Sequence, residues 1–270
     1  MATRRSVIKV SLSTLIALVL VLYLWSLSTE RVQQDLVPAP SEMAAKPVPD
    51  FTDFANVEEK KKAFFDYLRP EIEAQNQHIL GIRHRLMQLQ RKVANNEPLS
   101  EKERQSLVWL KKEYRVDSNV NPQDLAQTAN VIQGLLNRID IIPTDLVLVQ
   151  AANESAWGTS RFARRGYNFF GLWCFKKGCG FVPSRRKEDA KHEVAKFPNL
   201  TRAVYTYLRN LNRHDAYREL RQIRANLRAN NLPITGSDLA EGLVSYSERG
   251  HDYVEELQAM IRFNEEYFTE

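Results

Sequence analysis

Residues 146–160 read Leu-Val-Leu-Val-Gln-Ala-Ala-Asn-Glu-Ser-Ala-Trp-Gly-Thr-Ser, and this stretch decides the fold. With Thr144 as candidate cap, Leu146 to Ser155 reads as an apolar helix that Gly158 can end. Glu154 falls near the C-terminus of that helix, where partial negative charge disfavours a carboxylate. Apolar surroundings disfavour the ionised form as well. Both effects are expected to raise the pKa of Glu154, and a carboxyl kept protonated near neutral pH is what a general acid requires. Trp157 is expected to supply an apolar wall, and Gly158 to let a substrate approach closely. On this physics alone the alternative is a solvated residue at a frayed helix end.

Working outward, Gly166, Gly171, Gly178, Gly180, Pro183 and Pro198 break any helix across 166–198, and the aromatics between them suit short strands or an ordered loop. Upstream, Ile79, Ile82, Leu86, Leu89 and Val93 recur at helical spacing within 56–94. The stripe is too short for a coiled coil and is expected to pack on the domain that follows. His78 and His84 flank it at poor metal-ligand spacing and read as solvated or structural. Ser100 and Glu103 fit a capping box before Leu107 and Leu110. Asn121, before Pro122, opens a helix carrying Leu125, Ile132 and Leu136. Ser237 is a candidate cap before Leu239, Leu243 and Tyr246, and a last helix is expected from Asp252 to Phe263. Arg218, Arg221, Arg224 and Arg228 read as the solvated basic face of an amphipathic helix or, alternatively, a docking face for an anionic polymer. The expectation is a mostly helical protein with one small irregular or β lobe.

Composition bounds the function. The 270 residues are 43% hydrophobic and 26% charged, which excludes wholesale disorder, and ten glycines are too few for a Gly-punctuated all-β fold or a Rossmann unit. Neither a P-loop nor an HExxH pattern occurs. Two cysteines without paired Cys/His spacing argue against structural zinc. The net charge of +5 suits an anionic partner such as an envelope polymer, a membrane surface or nucleic acid. Nucleic acid is set aside, because base-stacking aromatics and a cytoplasmic address are both missing.

The address is read from Val10 to Thr29, twenty residues without a charge. As a helix they would rise about 30 Å, enough to cross a bilayer core. Arg4, Arg5 and Lys9 precede them, so the remainder is expected outside the cytoplasmic membrane, on its periplasmic side, anchored by this helix. It would be secreted if the segment is cleaved, for which Ser26-Leu27-Ser28 is a weak site. Pro38, Pro40, Pro47 and Pro49 then mark an extended linker. The expected organisation is a membrane helix over 1–30, a Pro-rich linker over 31–55, a helical region over 56–118 and the Glu154 domain over 119–270. Outside the cytoplasm Cys174 and Cys179 are expected to form a disulfide. Closing so short a loop gives roughly 2 kcal/mol in the chain-entropy model, and the bridge would pin the lobe beside the cleft.

Four elements in chain order carry a resemblance. Ala152-Asn-Glu154-Ser-Ala-Trp157-Gly-Thr-Ser160 resembles the catalytic-glutamate motif of the bacterial glucosaminidase domain, glycoside hydrolase family 73. Asn168-Phe-Phe-Gly171, the aromatic segment Phe197 to Tyr207, and Tyr246 followed seven residues later by Tyr253 are similar to its other elements. The resemblance covers about residues 121–266. The N-terminal helices and the Trp173-Cys174 to Cys179-Gly180 insert further resemble a bacterial envelope protein carrying that domain.

This resemblance implies a lysozyme-like helical fold with a small β lobe. It implies hydrolysis of β-1,4 bonds after N-acetylglucosamine in the glycan strands of peptidoglycan, with Glu154 protonating the leaving oxygen and no metal or organic cofactor. Tyr246 becomes a candidate orienting residue, and Glu193, ahead of Glu188 and Asp189, the candidate second acid. Trp157, Asn168, Phe170, Trp173 and Tyr253 become candidates for substrate binding, although for Asn168 fixing a turn is the preferred reading. Tyr207 and Tyr217 read as core. The chain departs from many relatives in having Tyr246-Ser-Glu-Arg-Gly where they carry Tyr-Ala-Thr-Asp-Pro. Retaining, inverting and substrate-assisted routes all stay open. A lytic transglycosylase and a non-catalytic wall-binding protein are the competing readings.

Overall fold

The computed structural model describes Val19, Leu20, Tyr23 and residues 36–39, 46–116, 124–183 and 192–268. The long helix α1 (Val57–Ala94) opens on Asn56, whose side chain accepts from the Glu59 amide at 2.8 Å. Its stripe Ile79, Ile82, Leu86, Leu89 and Val93 is buried as the spacing predicts. The helix packs on α3 (Leu125–Arg138), α4 (Thr144–Ser155) and α6 (Leu200–Arg213). Between α1 and α3 lies α2 (Glu101–Glu113), which starts at the expected Ser100–Glu103 capping box. Asn121 and Pro122 lie outside the described residues; the cap seen on α3 is Asp124.

The centre of the molecule is α4. Leu146 to Ala152 are all buried, so the helix is covered on every face. Thr144 is its first residue rather than its cap: Pro143 holds the cap position, where a fixed φ suits helix entry. The chain then turns through α5 (Arg161–Gly166) into a small antiparallel sheet of β1 (Trp173–Cys174), β2 (Gly180–Phe181) and β3 (Glu193–Ala195). Strand β3 is central, pairing Trp173 with Val194 on one side and Gly180 with Ala195 on the other. Cys174 and Cys179 are joined as expected. The C-terminal half comprises α6, α7 (Arg218–Ala229), α8 (Gly236–Ala240) and α9 (His251–Phe263). The cap of α8 is Thr235, not Ser237. Among the described residues, a mostly helical chain with one three-stranded sheet fits a lysozyme-like domain.

Two expectations change. The arginines of α7 do not form one solvated face: Arg218 is exposed as expected, but Arg221 is buried and Arg224 is 1% exposed. Arg224 donates to the carbonyls of Arg138, Asp140 and Ile141 at 2.9–3.1 Å and to Asn212 Oδ1 at 2.8 Å. Arg228 grips the buried Asp140 carboxylate with two bonds, at 2.7 and 2.8 Å, and Arg83 of α1 lies 3.5 Å from it. A planar guanidinium fork fits the unpaired carbonyls at the end of α3, which a helical wheel cannot show. The linker also does more than extend. Phe51 is fully buried against Phe64 and Tyr67, and Asp50 pairs with Arg164 at 2.8 Å. A Cβ on Gly158 would meet the Phe51 ring at 2.3 Å, so this glycine makes room for the linker rather than for a substrate.

No helix among the described residues is long and apolar enough to cross a membrane. The Val10–Thr29 segment, apart from Val19, Leu20 and Tyr23, lies outside the described residues. So do Glu188, Asp189 and the boundary expected near residue 118.

Candidate active site

Glu154 is the penultimate residue of α4, and the turn behind it is unusual. Ala156, Trp157 and Gly158 follow one another with φ of 51°, 57° and 76°. The left-handed region costs a residue with a Cβ roughly 1–2 kcal/mol. Ser155 holds the turn: its hydroxyl donates to the Ala151 carbonyl at 2.6 Å and accepts the Gly158 amide at 2.8 Å. The helix thereby stops one residue after Glu154 and leaves the carboxyl at its end.

Across from α4, Tyr253 of α9 donates its hydroxyl to Glu154 Oε1 at 2.8 Å. The same hydroxyl accepts from Gln150 Nε2 at 3.0 Å, and Gln150 Oε1 accepts from Tyr207. Gln150 is fully buried one turn before Glu154, so a relay of three side chains fixes one carboxylate oxygen. The second oxygen faces Gly171, where a Cβ would stand 3.1 Å from Oε2; its φ is +63°. Glycine at this point of Asn168-Phe-Phe-Gly171 answers two needs, a left-handed turn and clearance for the acid.

Burial is the main cause that raises the Glu154 carboxyl above its usual range. The Tyr253 bond and the Arg249 charge pull it back down, while the charge of Glu256 adds to the rise. Arg249 in turn donates to Glu256, which also accepts from Asn153 at 3.0 Å. Arg249 belongs to the segment Ser247-Glu-Arg-Gly250 that follows Tyr246. The expected direction of the Glu154 shift therefore holds, with burial as its main cause, while Trp157 turns elsewhere. The Trp157 ring packs edge-on against Phe64 and Phe65 of α1, at 5.6 and 5.4 Å between centroids.

The other anticipated residues sort by geometry. Tyr246 stacks parallel to Tyr253, 5.7 Å between ring centroids, and donates to the Phe170 carbonyl at 2.8 Å. It thus stands behind the tyrosine that touches the acid. Asn168 is buried and spends its amide on the turn, donating to the carbonyls of Leu172 and Ala195 and accepting the Leu172 amide. Phe170 is core, stacked on Tyr207 at 4.1 Å. Trp173 is 52% exposed beside His192 on the sheet. Glu193 is buried in β3, and its two oxygens accept the amides of Gly178 and Gly180 at 2.9 and 2.8 Å. Its carboxylate clasps the disulfide loop to the sheet, since a negative charge in a buried strand is stabilised by amides that the loop would otherwise leave unpaired. Cys174, Cys179 and Glu193 also bring potential metal donors together, but the disulfide and these amide bonds already engage them.

Sequence reasoning missed Gln150, Arg249 and Glu256. Gln150 had a signal, being the lone polar residue inside Leu146–Ala152 and one turn from Glu154. Arg249 and Glu256 had none.

Residues 129–266 match the family described as "Glucosaminidase: Mannosyl-glycoprotein endo-beta-N-acetylglucosaminidase". The chain is also similar to the protein called bax of Escherichia coli strain K12. Identity is 34% over 218 residues, covering 81% of this chain and 74% of that relative. No solved structure matches.

Proposed function

This chain belongs to the glucosaminidase family, and on that premise we propose that it is an endo-β-N-acetylglucosaminidase cutting β-1,4 bonds after N-acetylglucosamine in peptidoglycan. The observation that carries the reading is the Glu154 carboxyl: half-buried, held by Tyr253 at 2.8 Å, and raised above its usual range. In that state it can give its proton to the glycosidic oxygen as the C1–O bond breaks.

The substrate-assisted route suits this site best, because it asks for one acid and Glu193 is engaged with backbone amides. The acetamido oxygen of the sugar bonds to C1 as the leaving oxygen takes the Glu154 proton. The Glu154 carboxylate then accepts a proton from water, whose oxygen adds to C1 and releases the acetamido group. A lone acid serves a lytic transglycosylase equally, so the products decide. Digestion of purified peptidoglycan should yield reducing N-acetylglucosamine ends by mass spectrometry, and Glu154→Gln should fold normally and yield none. Anhydromuramic ends would replace this reading with the lytic one. Turnover by Glu154→Gln would remove Glu154 from the mechanism.

We further propose that the domain acts on the outer side of the cytoplasmic membrane. The uncharged Val10–Thr29 run behind Arg4, Arg5 and Lys9 supports this. Recovery of the full chain in the soluble cytoplasmic fraction would overturn it.

A further inference from the structure

An open groove of about 590 Å³, lined by Asn153, the chain neighbour of Glu154, runs between the end of α4, the start of α1 and the end of α9. Its apolar floor includes Ala152, Ala156 and Ala259, which leave room for a main chain with small substituents. Trp157 and Phe263 line it with aromatic surface, and Phe263 is 77% exposed. The left-handed backbone at Ala156 and Trp157 is what delivers the Trp157 ring here instead of to Glu154. Strain of this kind persists where surrounding structure holds it, and such positions cluster at functional sites.

Two polar groups in this groove lack the partners their chemistry asks for. The Lys61 ammonium lies 4.4 Å from the Phe263 ring centroid and 5.5 Å from that of Trp157, and pairs with no carboxylate among the described residues. Asn264 is 2% exposed; its amide donates to the Met260 carbonyl at 2.7 Å, while its buried Oδ1 has no donor. An unpaired buried acceptor in a native structure calls for an explanation. The cation asks for an anion, the acceptor asks for an N–H, and the alanine floor admits methyl-sized side chains. A short acidic peptide offers all three. A bare N-acetylmuramic acid unit offers one carboxylate and one amide N–H, without the extended run of amides and methyl side chains that a peptide main chain would lay along the floor.

We propose that this groove is a subsite for the acidic peptide stem borne by the peptidoglycan strand, with Lys61 taking a stem carboxylate and Asn264 accepting an amide N–H. The inference rests on the peptidoglycan reading above. It adds that the enzyme recognises peptide-bearing glycan in preference to bare glycan. Asn153 and Glu256 line the same groove; Asn153 precedes Glu154 in the chain, and the Glu256 charge acts on the Glu154 carboxyl, so groove and acid share this end of α4.

The test is calorimetric titration of the full chain with N-acetylmuramyl-L-Ala-D-Glu and with N-acetylmuramic acid. The dipeptide form should bind about tenfold tighter, as its further-reaching D-Glu carboxylates and added amide bonds allow, whereas the single carboxylate of N-acetylmuramic acid stays on the short lactyl arm of the sugar. Lys61→Met should abolish most of that preference and Lys61→Arg should retain it. Phe263→Ala, at an exposed position that fills no core, should weaken the dipeptide form selectively. Equal affinity for the two ligands, or an unchanged preference in Lys61→Met, overturns the proposal. Digestion of peptide-free glycan by the unaltered chain separates the two readings. Cleavage without any binding preference refutes the groove alone. A binding preference without cleavage of any glycan upholds the groove and refutes the glycosidase.

Discussion

Replacing Tyr253 with Phe probes the placement of Glu154 most directly. Phe keeps the ring, its burial and the parallel stack on Tyr246 at 5.7 Å. It deletes one oxygen, which donates to Glu154 at 2.8 Å and accepts from Gln150 at 3.0 Å. Gln150 is fully buried, and leaving its amide without that acceptor costs about 1–3 kcal/mol at any pH. The bond to Glu154 is stronger to the ionised carboxylate than to the protonated carboxyl, and in this half-buried setting that difference adds ~1 kcal/mol. Because the Tyr253 bond lowers the Glu154 pKa, removing it pushes the carboxyl further up. A folded-state pKa above the unfolded one gives stability that is complete below the usual carboxylate range and is lost as pH rises through the folded value. The deficit of Tyr253→Phe should therefore grow from about 1–3 kcal/mol near pH ~4 by a further ~1 kcal/mol near pH ~8. Urea unfolding at the two pH values reads this. A general acid works protonated, so the alkaline limb of kcat/KM on peptidoglycan should move to higher pH. An alkaline limb that stays put or moves down, or a stability deficit that shrinks as pH rises, would refute the reasoning.

Two other substitutions address the supporting structure. Glu193→Gln trades an acceptor oxygen for a donor facing a backbone amide and should cost about 1–2 kcal/mol. Hydrogen exchange at Gly178 and Gly180 should quicken while turnover falls only partly; lost turnover with unchanged exchange would restore Glu193 as a catalytic acid. Asp140→Asn keeps the volume but leaves Arg83, Arg224 and Arg228 without their shared carboxylate, and should destabilise the chain by about 3 kcal/mol. The carboxylate of Asp140 is held low: its burial is outweighed by the Arg228 bond and the charges of Arg224 and Arg83. Its contribution is present above the unfolded carboxylate range and vanishes as pH falls through the folded value, so the variant's melting curve should lose that acid-side dependence. Equal acid sensitivity in both proteins would contradict this.

Much of the architecture was legible because its signals are local. The break of helical pattern across 166–198, the Ile79–Val93 stripe and the Ser100–Glu103 box each depend on neighbours a few residues away. The corrections fall where a side chain finds a partner far along the chain. Arg224 looks solvated on its own helix, yet it is buried against carbonyls some eighty residues earlier, at Arg138 to Ile141. Trp157 looks like a wall for Glu154, yet two left-handed residues turn it toward Phe64 and Phe65.

The active site divides along the same line. Residue order alone placed Glu154 at the end of an apolar helix and Gly171 in a stretch that breaks helices; helix periodicity also sets Gln150 one turn behind the acid, a signal that went unread. Which tyrosine donates to Glu154 was not contained in that order. Tyr246 and Tyr253 sit seven residues apart, and only the packing of α9 across α4 brings the second one's hydroxyl to 2.8 Å from the carboxylate. The same packing sets Glu256 and Arg249 beside the acid and opens the groove under Lys61. Periodicity decides which face a residue occupies; the partner on the other side of that face is decided only when distant helices close on one core.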